Sequence, residues 1–121
     1  MPVGSDPVED SERLLRFVPD SQLVPDSSHP TVQSEMFRKQ RFSVDREGIK
    51  PLARFRAEHA GLHVARFGAV DCRVCGFGVE PDPLADNEAH AVVITDATGN
   101  RLRRMAKQLR DEFVTLLPPE E

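Results

Sequence analysis

The sequence predicts a small α+β domain in which two helices cover a short, mostly antiparallel sheet. Short apolar and β-branched segments recur along the chain, and a C-terminal segment repeats apolar residues at helical spacing. Of the 121 residues, 39% are hydrophobic, which suffices for one packed core. Both kinds of element in one short chain are typical of α+β proteins.

Five strands are expected, near residues 13–18, 41–44, 62–68, 77–80 and 90–95. The last has the clearest pattern, because it is β-branched and bounded by loops. The apolar stretch from Leu62 to Val79 has two interpretations. It is either one long strand interrupted at Gly68, or two strands joined by a helical turn at 69–75, and its periodicity does not separate them. The order of the strands in the sheet stays open.

Two helices are expected, near residues 50–60 and 101–116. The first tolerates Pro51 in its opening turn, and Gly61 lies just past its end. The second carries one apolar stripe, and Asn100 is predicted to cap it. The stripe consists of Leu102, Met105, Ala106, Leu109, Phe113 and Leu116.

Residues 12–117 are expected to form one domain, between a polar, disordered tail that frays at 1–11 and a short tail at 118–121. No apolar run is long enough to cross a membrane, and the first residues are acidic rather than apolar, unlike a secretory signal. Two cysteines are too few for a disulfide scaffold. We therefore expect a cytoplasmic protein without membrane contact, and its oligomeric state stays open.

The net charge of −4 conceals two basic runs, at 38–56 and 101–110. If the fold joins them, they form a positive face for nucleic acid or an acidic partner. The alternative is two ordinary solvated helix faces. The candidate residues of the basic face are Arg38, Lys39, Arg41, Arg101 and Arg104.

The segment 82–90 is the most polar part of the sequence and ends on His90, at the start of a predicted strand. A histidine with a carboxylate partner suits acid/base catalysis. A serine such as Ser34 or Ser43 is the candidate nucleophile, with Ser43 preferred. The alternative is a turn in which His90 bonds the loop backbone. The candidate binding residues of this loop are Asp82, Asp86 and Asn87.

A second group offers metal ligands at irregular spacing. His59, His63, Cys72 and Cys75 provide four atoms that suit tetrahedral zinc. Gly61 between the two histidines directs them differently, and the gap to the cysteines is short. We therefore expect no cofactor, with zinc as the minority alternative.

Four short motifs, in this order and spacing, resemble a group of short bacterial proteins with the pattern R-R-I-x-P … S-x-x-F … S-V-D … D-P-x-x-x-N-x-A-H-A. In this chain they are Leu15-Arg16-Phe17-Val18-Pro19, Ser34 with Phe37, Ser43-Val44-Asp45, and Asp82-Pro83-Leu84 with Asn87, Ala89, His90 and Ala91. Phe17 replaces the second arginine of the pattern, and the cysteines lie outside it. The resemblance implies candidate positions at Arg16, Ser43 and His90, and no particular activity.

Three functions follow as hypotheses. The leading one is an accessory protein that binds a larger protein partner through the 82–90 loop and a basic face. The second is a small enzyme in which His90 acts as acid or base on an anionic substrate that Arg16 or Ser43 holds. The third is a nucleic-acid-associated protein, for which the sequence offers charge and no groove-reading motif.

Overall fold

The architecture is a six-stranded antiparallel sheet with three helices, which confirms the α+β prediction. The computed structural model describes residues 4–24 and 31–119. The strand order is β6-β7-β4-β1-β5-β8, and β2 and β3 form a separate hairpin. The strands are β1 Arg13–Val18, β2 Leu23–Val24, β3 Thr31–Val32, β4 Arg41–Arg46, β5 His63–Gly68, β6 Gly78–Pro81, β7 His90–Ile94 and β8 Thr115–Leu117; the helices are α1 Leu52–Glu58, α2 Ala69–Cys75 and α3 Gly99–Gln108.

The two faces of the sheet are covered unequally. Side chains alternate along each strand, so Leu14 and Phe42 lie on one face, whereas Leu15 and Ser43 lie on the other. On the first face, the core face, α2 and α3 bury the larger of the two apolar clusters. On the second face, α1 covers a small cluster built on Leu15, Phe55 and Val64. Part of this second face stays open beside α1, and the candidate site lies there.

Residues 69–75 form a helix, so the second interpretation of the apolar stretch is correct. The α2 helix begins after Gly68, whose amide donates to the Asp71 carboxylate at 2.8 Å. It ends at Gly76, whose φ of 106° is the left-handed conformation that favours glycine. Cys72 and Cys75 lie one turn apart in this helix and are both buried, so they act as small core residues.

The C-terminal segment differs from its prediction. The α3 helix gives way to a π-helical turn, Leu109–Phe113, and then to the edge strand β8. The amide of Val114 bonds the Leu109 carbonyl at 3.1 Å, which ends the helix. Leu116 therefore belongs to β8, opposite Ala65, where it pairs with the otherwise free edge of β5. The prediction of a helix continuing to residue 116 was wrong here.

The start of α3 also differs from its prediction. Thr98 occupies the N-cap position, without a side-chain bond to the helix. Asn100 lies inside the first turn and is exposed, so it does not cap the helix. Gly99, with a φ of 57°, makes the sharp entry into the helix, so the N-cap lies two residues earlier than expected.

The N-terminal segment, expected as a frayed tail, contacts the domain over residues 4–12; residues 1–3 lie outside the described part. Arg46 is fully buried and donates to the carbonyls of Asp6 at 2.9 Å and Gly4 at 3.3 Å. It also donates to both carboxylate oxygens of Glu12, at 2.7 and 2.8 Å. Val8 is buried in the core. A buried guanidinium needs several acceptors, and this segment provides them.

Within the described residues, no helix is both long and apolar enough to cross a bilayer.

Candidate functional site

A cavity of about 150 Å³ opens on the second face of the sheet, between α1 and the loop that joins β6 to β7. The register places Ser43, Asp45 and His90 on this face, since Asp45 pairs with His90 and Ser43 with Val92. Arg16 and Val44 also line the cavity, although strand alternation places them with Leu14 and Phe42 on the core face. The predicted candidates Arg16, Ser43, Asn87 and His90 all lie on its wall. The complete lining is Leu15, Arg16, Phe17, Ser43, Val44, Asp45, Phe55, His59, Asn87 and His90.

Arg16 connects two strands at the edge of the cavity. The paired residues of β1 and β4 are Leu14–Arg46 and Leu15–Asp45. Beyond them, Arg16 Nη1 donates to the Ser43 carbonyl at 2.7 Å, and the guanidinium lies 5.0 Å from the centre of the Phe42 ring. Burial lowers the pKa of Arg16, and the group stays charged at neutral pH. Its bond to the backbone makes Arg16 a positioning residue for β4.

The floor of the cavity is a closed charge network around Asp45. Lys50 Nζ donates to Asp45 Oδ2 at 3.0 Å and to Glu58 Oε1 at 2.6 Å, and Asn87 Nδ2 donates to Asp45 Oδ1 at 2.8 Å. Burial opposes the charge of Lys50, but the bonds to Glu58 and Asp45 outweigh it and raise the pKa of Lys50. The bond from Lys50 lowers the pKa of Glu58. Asp45 is therefore neutralised within the chain and is not free for an incoming cation.

One side of the cavity is an aromatic wall. The His59 ring stacks on Phe17, with ring centres 4.5 Å apart, and packs against Phe55 at 4.4 Å. Burial lowers the pKa of His59, so its ring is mainly neutral at pH 7. Phe17 remains 40% exposed at the rim. This wall presents flat apolar surface to anything that enters.

His90 carries the chemistry of the opposite side. Its Nδ1 lies 2.9 Å from the Asp82 carbonyl oxygen and 3.1 Å from the Asp82 carboxylate. A carbonyl oxygen only accepts hydrogen bonds, so Nδ1 carries the proton and, in the neutral ring, Nε2 carries the lone pair. The His90 side chain is 14% exposed. Nε2 therefore remains as a hydrogen-bond acceptor at the cavity.

The 82–90 loop is tight and brings Asp82 to His90. The amide of Asp82 bonds the His90 carbonyl at 3.0 Å, and Leu84 and Asn87 exchange backbone bonds at 3.0 and 3.1 Å. This small turn aims Asn87 at the floor and leaves Leu84 46% exposed. Asp86, a predicted binding residue, is exposed at the tip and lies outside the cavity wall.

Ser43 shares the cavity with His90, but the structure records no hydrogen bond between these two described residues. They occupy diagonal positions on neighbouring strands, with Cβ atoms about 7 Å apart by ladder geometry. The predicted carboxylate partner of His90 is present as Asp82, whereas no hydrogen bond joins His90 to either described candidate, Ser34 or Ser43.

The predicted basic face divides between the two sides of the sheet. Arg101 and Arg104 are exposed on α3, which covers the core face. Arg38 and Lys39 follow a 3-10 turn, Ser34–Phe37, that packs on α3. Arg41 instead points to the cavity side, where it lies 3.5 Å from Asp82. The 82–90 loop and the α3 arginines therefore do not form one surface.

The four predicted zinc ligands do not come together. Cys72 and Cys75 pack on the core face, whereas His59 lies on the opposite face against Phe17. Among the described residues, the grouping that resembles a metal site is Asp45, Glu58 and His59. The ammonium group of Lys50 already bonds both of its carboxylates, and a metal ion would have to displace it.

Of the floor and the aromatic wall, the sequence pointed to Asn87 as a binding residue and to His59 as a minority zinc ligand. It did not point to Asp45, Lys50, Glu58 or Phe55 as site residues. Asp45 could have been predicted as a site residue, because it lies two residues after Ser43 in the same strand and therefore on the same face of the sheet. Lys50 lies just before the start of α1 and Glu58 is its last residue, and no local spacing in the sequence predicts that their side chains form an ion pair. Phe17 and Phe55 lie within a predicted strand and a predicted helix, and their local patterns carry no signal of a site.

The chain matches no protein-family model, and comparisons with curated proteins and with solved structures find no significant match. The resemblance to the bacterial group stays a prediction.

Proposed function

We propose that this chain is a small cytoplasmic accessory protein that binds a protein partner by accepting one tyrosine side chain of that partner in the cavity beside His90. The observation that carries the proposal is the cavity itself, which has an apolar aromatic wall on one side and hydrogen-bond acceptors on the other. These acceptors are His90 Nε2 and Asn87 Oδ1, and the latter is buried without a hydrogen-bond partner among the described residues. The two free cysteines agree with a reducing compartment.

The size of the cavity suits one ring. Its volume of about 150 Å³ is well below the roughly 300–1,000 Å³ of typical small-molecule pockets. Apolar cavities of this volume hold a benzene-sized group. A single aromatic side chain therefore fits, whereas a nucleotide or another large cofactor does not.

The chemistry of the wall selects a phenol. Leu15, Phe17 and Phe55 offer apolar contacts to the ring, and His90 Nε2 accepts a hydrogen bond from the hydroxyl group. A phenylalanine ring would exclude water from His90 Nε2 without offering it a hydrogen-bond donor, and an unsatisfied buried acceptor costs free energy. A lysine or arginine would find Asp45 and Asp82 already bonded.

Two exposed apolar side chains favour a protein partner over a free metabolite. Phe17 is 40% exposed at the rim, and Leu84 is 46% exposed on the turn that carries Asn87. Aromatic anchors in protein interfaces are surrounded by contacts that exclude water, and these residues supply such contacts. The α3 arginines lie on the other side of the sheet and take no part.

The test is a titration of the isotope-labelled protein with N-acetyl-tyrosinamide and N-acetyl-phenylalaninamide, followed by NMR. We expect millimolar binding, shifts confined to the cavity residues, and a preference of about 2- to 10-fold for the tyrosine derivative, the size of one net hydrogen bond. Ser43→Leu fills the cavity and should weaken binding, whereas Thr115→Leu, exposed on the same face in β8, is the matched control. Shifts outside the cavity, or equal binding of both compounds, contradict the proposal.

A second arm tests the protein partner. Peptides selected from a random displayed library on the intact protein should share a tyrosine, and N-acetyl-tyrosinamide should compete with them. Selection on the Ser43→Leu variant should lose this tyrosine. Enriched peptides without tyrosine, or peptides that bind both forms equally, contradict docking through the cavity.

The pairing of His90 with Asp82 favours a second candidate, an enzyme that uses His90 Nε2 as acid or base. Anion binding by Arg16 has less support, because its guanidinium already bonds the Ser43 carbonyl. The test is hydrolysis of 4-nitrophenyl acetate and 4-nitrophenyl phosphate. Turnover by the natural chain that disappears in His90→Gln supports the enzyme candidate. Equal rates for the natural chain and His90→Gln exclude it for these two reactions.

A further inference from the structure

A second surface lies on the other side of the sheet and is independent of the cavity. It comprises six exposed cations, here called the α3 cationic surface. They are Arg38, Lys39, Arg101, Arg103, Arg104 and Lys107.

The fold joins the two basic runs through Gln40. The Gln40 side-chain amide donates to the backbone carbonyl of Ala97 at 3.2 Å, and the Gln40 backbone carbonyl accepts from the Thr95 amide at 2.9 Å. These bonds hold the adjoining Arg38–Lys39 segment at the amino end of α3. The 3-10 turn Ser34–Phe37 packs on the same helix. The proximity of the two runs, which the sequence left open, therefore follows from these contacts.

The cations of α3 fill its solvent side. Leu102, Met105 and Ala106 face the core and are buried. The four cations of α3 occupy the remaining arc of the helix, and no acidic residue stands in its first turn. Arg103 and Lys107, four residues apart, are neighbours about 6 Å apart on the surface.

These charges are not neutralised within the described part of the chain. The structure records no ion pair or hydrogen bond for the side chains of the six residues, while other arginines are paired, such as Arg66 with Glu47 at 2.8 Å and Arg110 with Asp111 at 2.6 Å. In a chain of net charge −4, a group of six free cations is a local positive field on an otherwise acidic protein.

We infer that the α3 cationic surface binds the phosphate backbone of a nucleic-acid duplex without reading its sequence. The charged part of α3, from residue 101 to 107, spans about 9 Å at 1.5 Å per residue. That length faces two or three phosphates of each strand at 3.4 Å per charge. Single-strand binding normally uses exposed aromatic rings for base stacking, and the six members of this surface include none.

The affinity should depend steeply on salt. If four of the six cations contact phosphates, the logarithm of the binding constant falls with the logarithm of salt concentration at a slope of about −3.6. Between 50 and 200 mM salt, this slope weakens binding about a hundredfold. An acidic protein partner is the competing occupant of such a surface.

The experiment measures fluorescence anisotropy of labelled 20-base-pair DNA and RNA duplexes, and of poly-glutamate, with the full chain at 20–200 mM salt. The inference expects duplex binding with the stated slope, and weaker binding of poly-glutamate. In Arg101→Gln/Arg104→Gln, the slope should decrease in magnitude by about 2. The control Arg13→Gln/Arg54→Gln makes the same change of net charge at arginines that are 61% and 62% exposed, and should bind as the natural chain does.

Three results would overturn the inference. They are no duplex binding at 20 mM salt, equal losses in the two double variants, and tighter binding of poly-glutamate than of either duplex. Comparing DNA with RNA shows which duplex is preferred. Because α3 and the cavity lie on opposite faces, Ser43→Leu should leave duplex binding unchanged.

Discussion

Replacement of Lys50 by methionine tests whether the charge network holds the cavity floor. Lys50 is 4% exposed and bonds both Asp45 and Glu58. Removing one partner of a buried ion pair costs about 3–5 kcal/mol, because the other charge stays buried and unpaired. Two features reduce this cost: Glu58 is 39% exposed and regains water, and Asn87 still donates to Asp45. We therefore expect a loss of about 2–4 kcal/mol.

The assay is urea unfolding followed by far-UV circular dichroism, since the chain has no Trp and no Tyr for intrinsic fluorescence. Lys39→Met, at an exposed lysine, is the control and should change stability by less than about 0.5 kcal/mol. Asp45→Asn added to Lys50→Met should restore part of the lost stability, because it removes the buried carboxylate charge that Lys50 no longer pairs.

A Lys50→Met variant as stable as the control at pH 7 would show that the charge network does not hold the cavity floor. A double variant that loses the sum of the two single effects would show the same, since contacting charges must be coupled.

Three further predictions concern stability. His90→Ala should change the free energy of unfolding by less than about 1 kcal/mol, because the ring lies at a cavity rather than in a packed core; a larger loss in urea unfolding would make His90 structural. Leu109→Asp should cost about 4 kcal/mol or more and leave little folded protein by circular dichroism, because Leu109 is fully buried and a charge there has no partner; a folded variant of normal stability would contradict the packing of α3. Stability should fall as pH decreases below about 6.5, because the pKa of His59 is lowered in the folded state and the unfolded chain binds more protons. His59→Phe should remove that part of the decrease between pH 7.5 and 5.5, and an unchanged pH profile would count against the buried neutral ring.

The strands and helices with strong local patterns were predictable from sequence. The β-branched run at 90–94 and the apolar stripe of α3 both appear as expected. The end of the last helix was not predictable, because Leu116 fits a helical stripe and an edge strand equally well. Pairing with β5 decided the outcome, and that contact is distant in sequence.

The candidate site was predictable in part. Arg16, Ser43 and the 87–90 segment are distant from one another in sequence, and the pairing of β1, β4 and β7 brings them to one cavity. The charge network around Lys50 and the ring stack on His59 depend on how α1 lies across the sheet. No spacing in the chain encodes that placement, so these residues became visible only in three dimensions.

The ring nitrogens of His90 give the most direct test of the proposed site. Nitrogen-15 NMR of the neutral ring should show Nδ1 protonated and Nε2 with a free lone pair, since the Asp82 carbonyl requires a donor at 2.9 Å. Addition of N-acetyl-tyrosinamide should then shift Nε2 toward the hydrogen-bonded range, with a much smaller change at Nδ1. A proton on Nε2 in the free neutral ring, or an Nε2 resonance indifferent to the tyrosine derivative, would contradict the account.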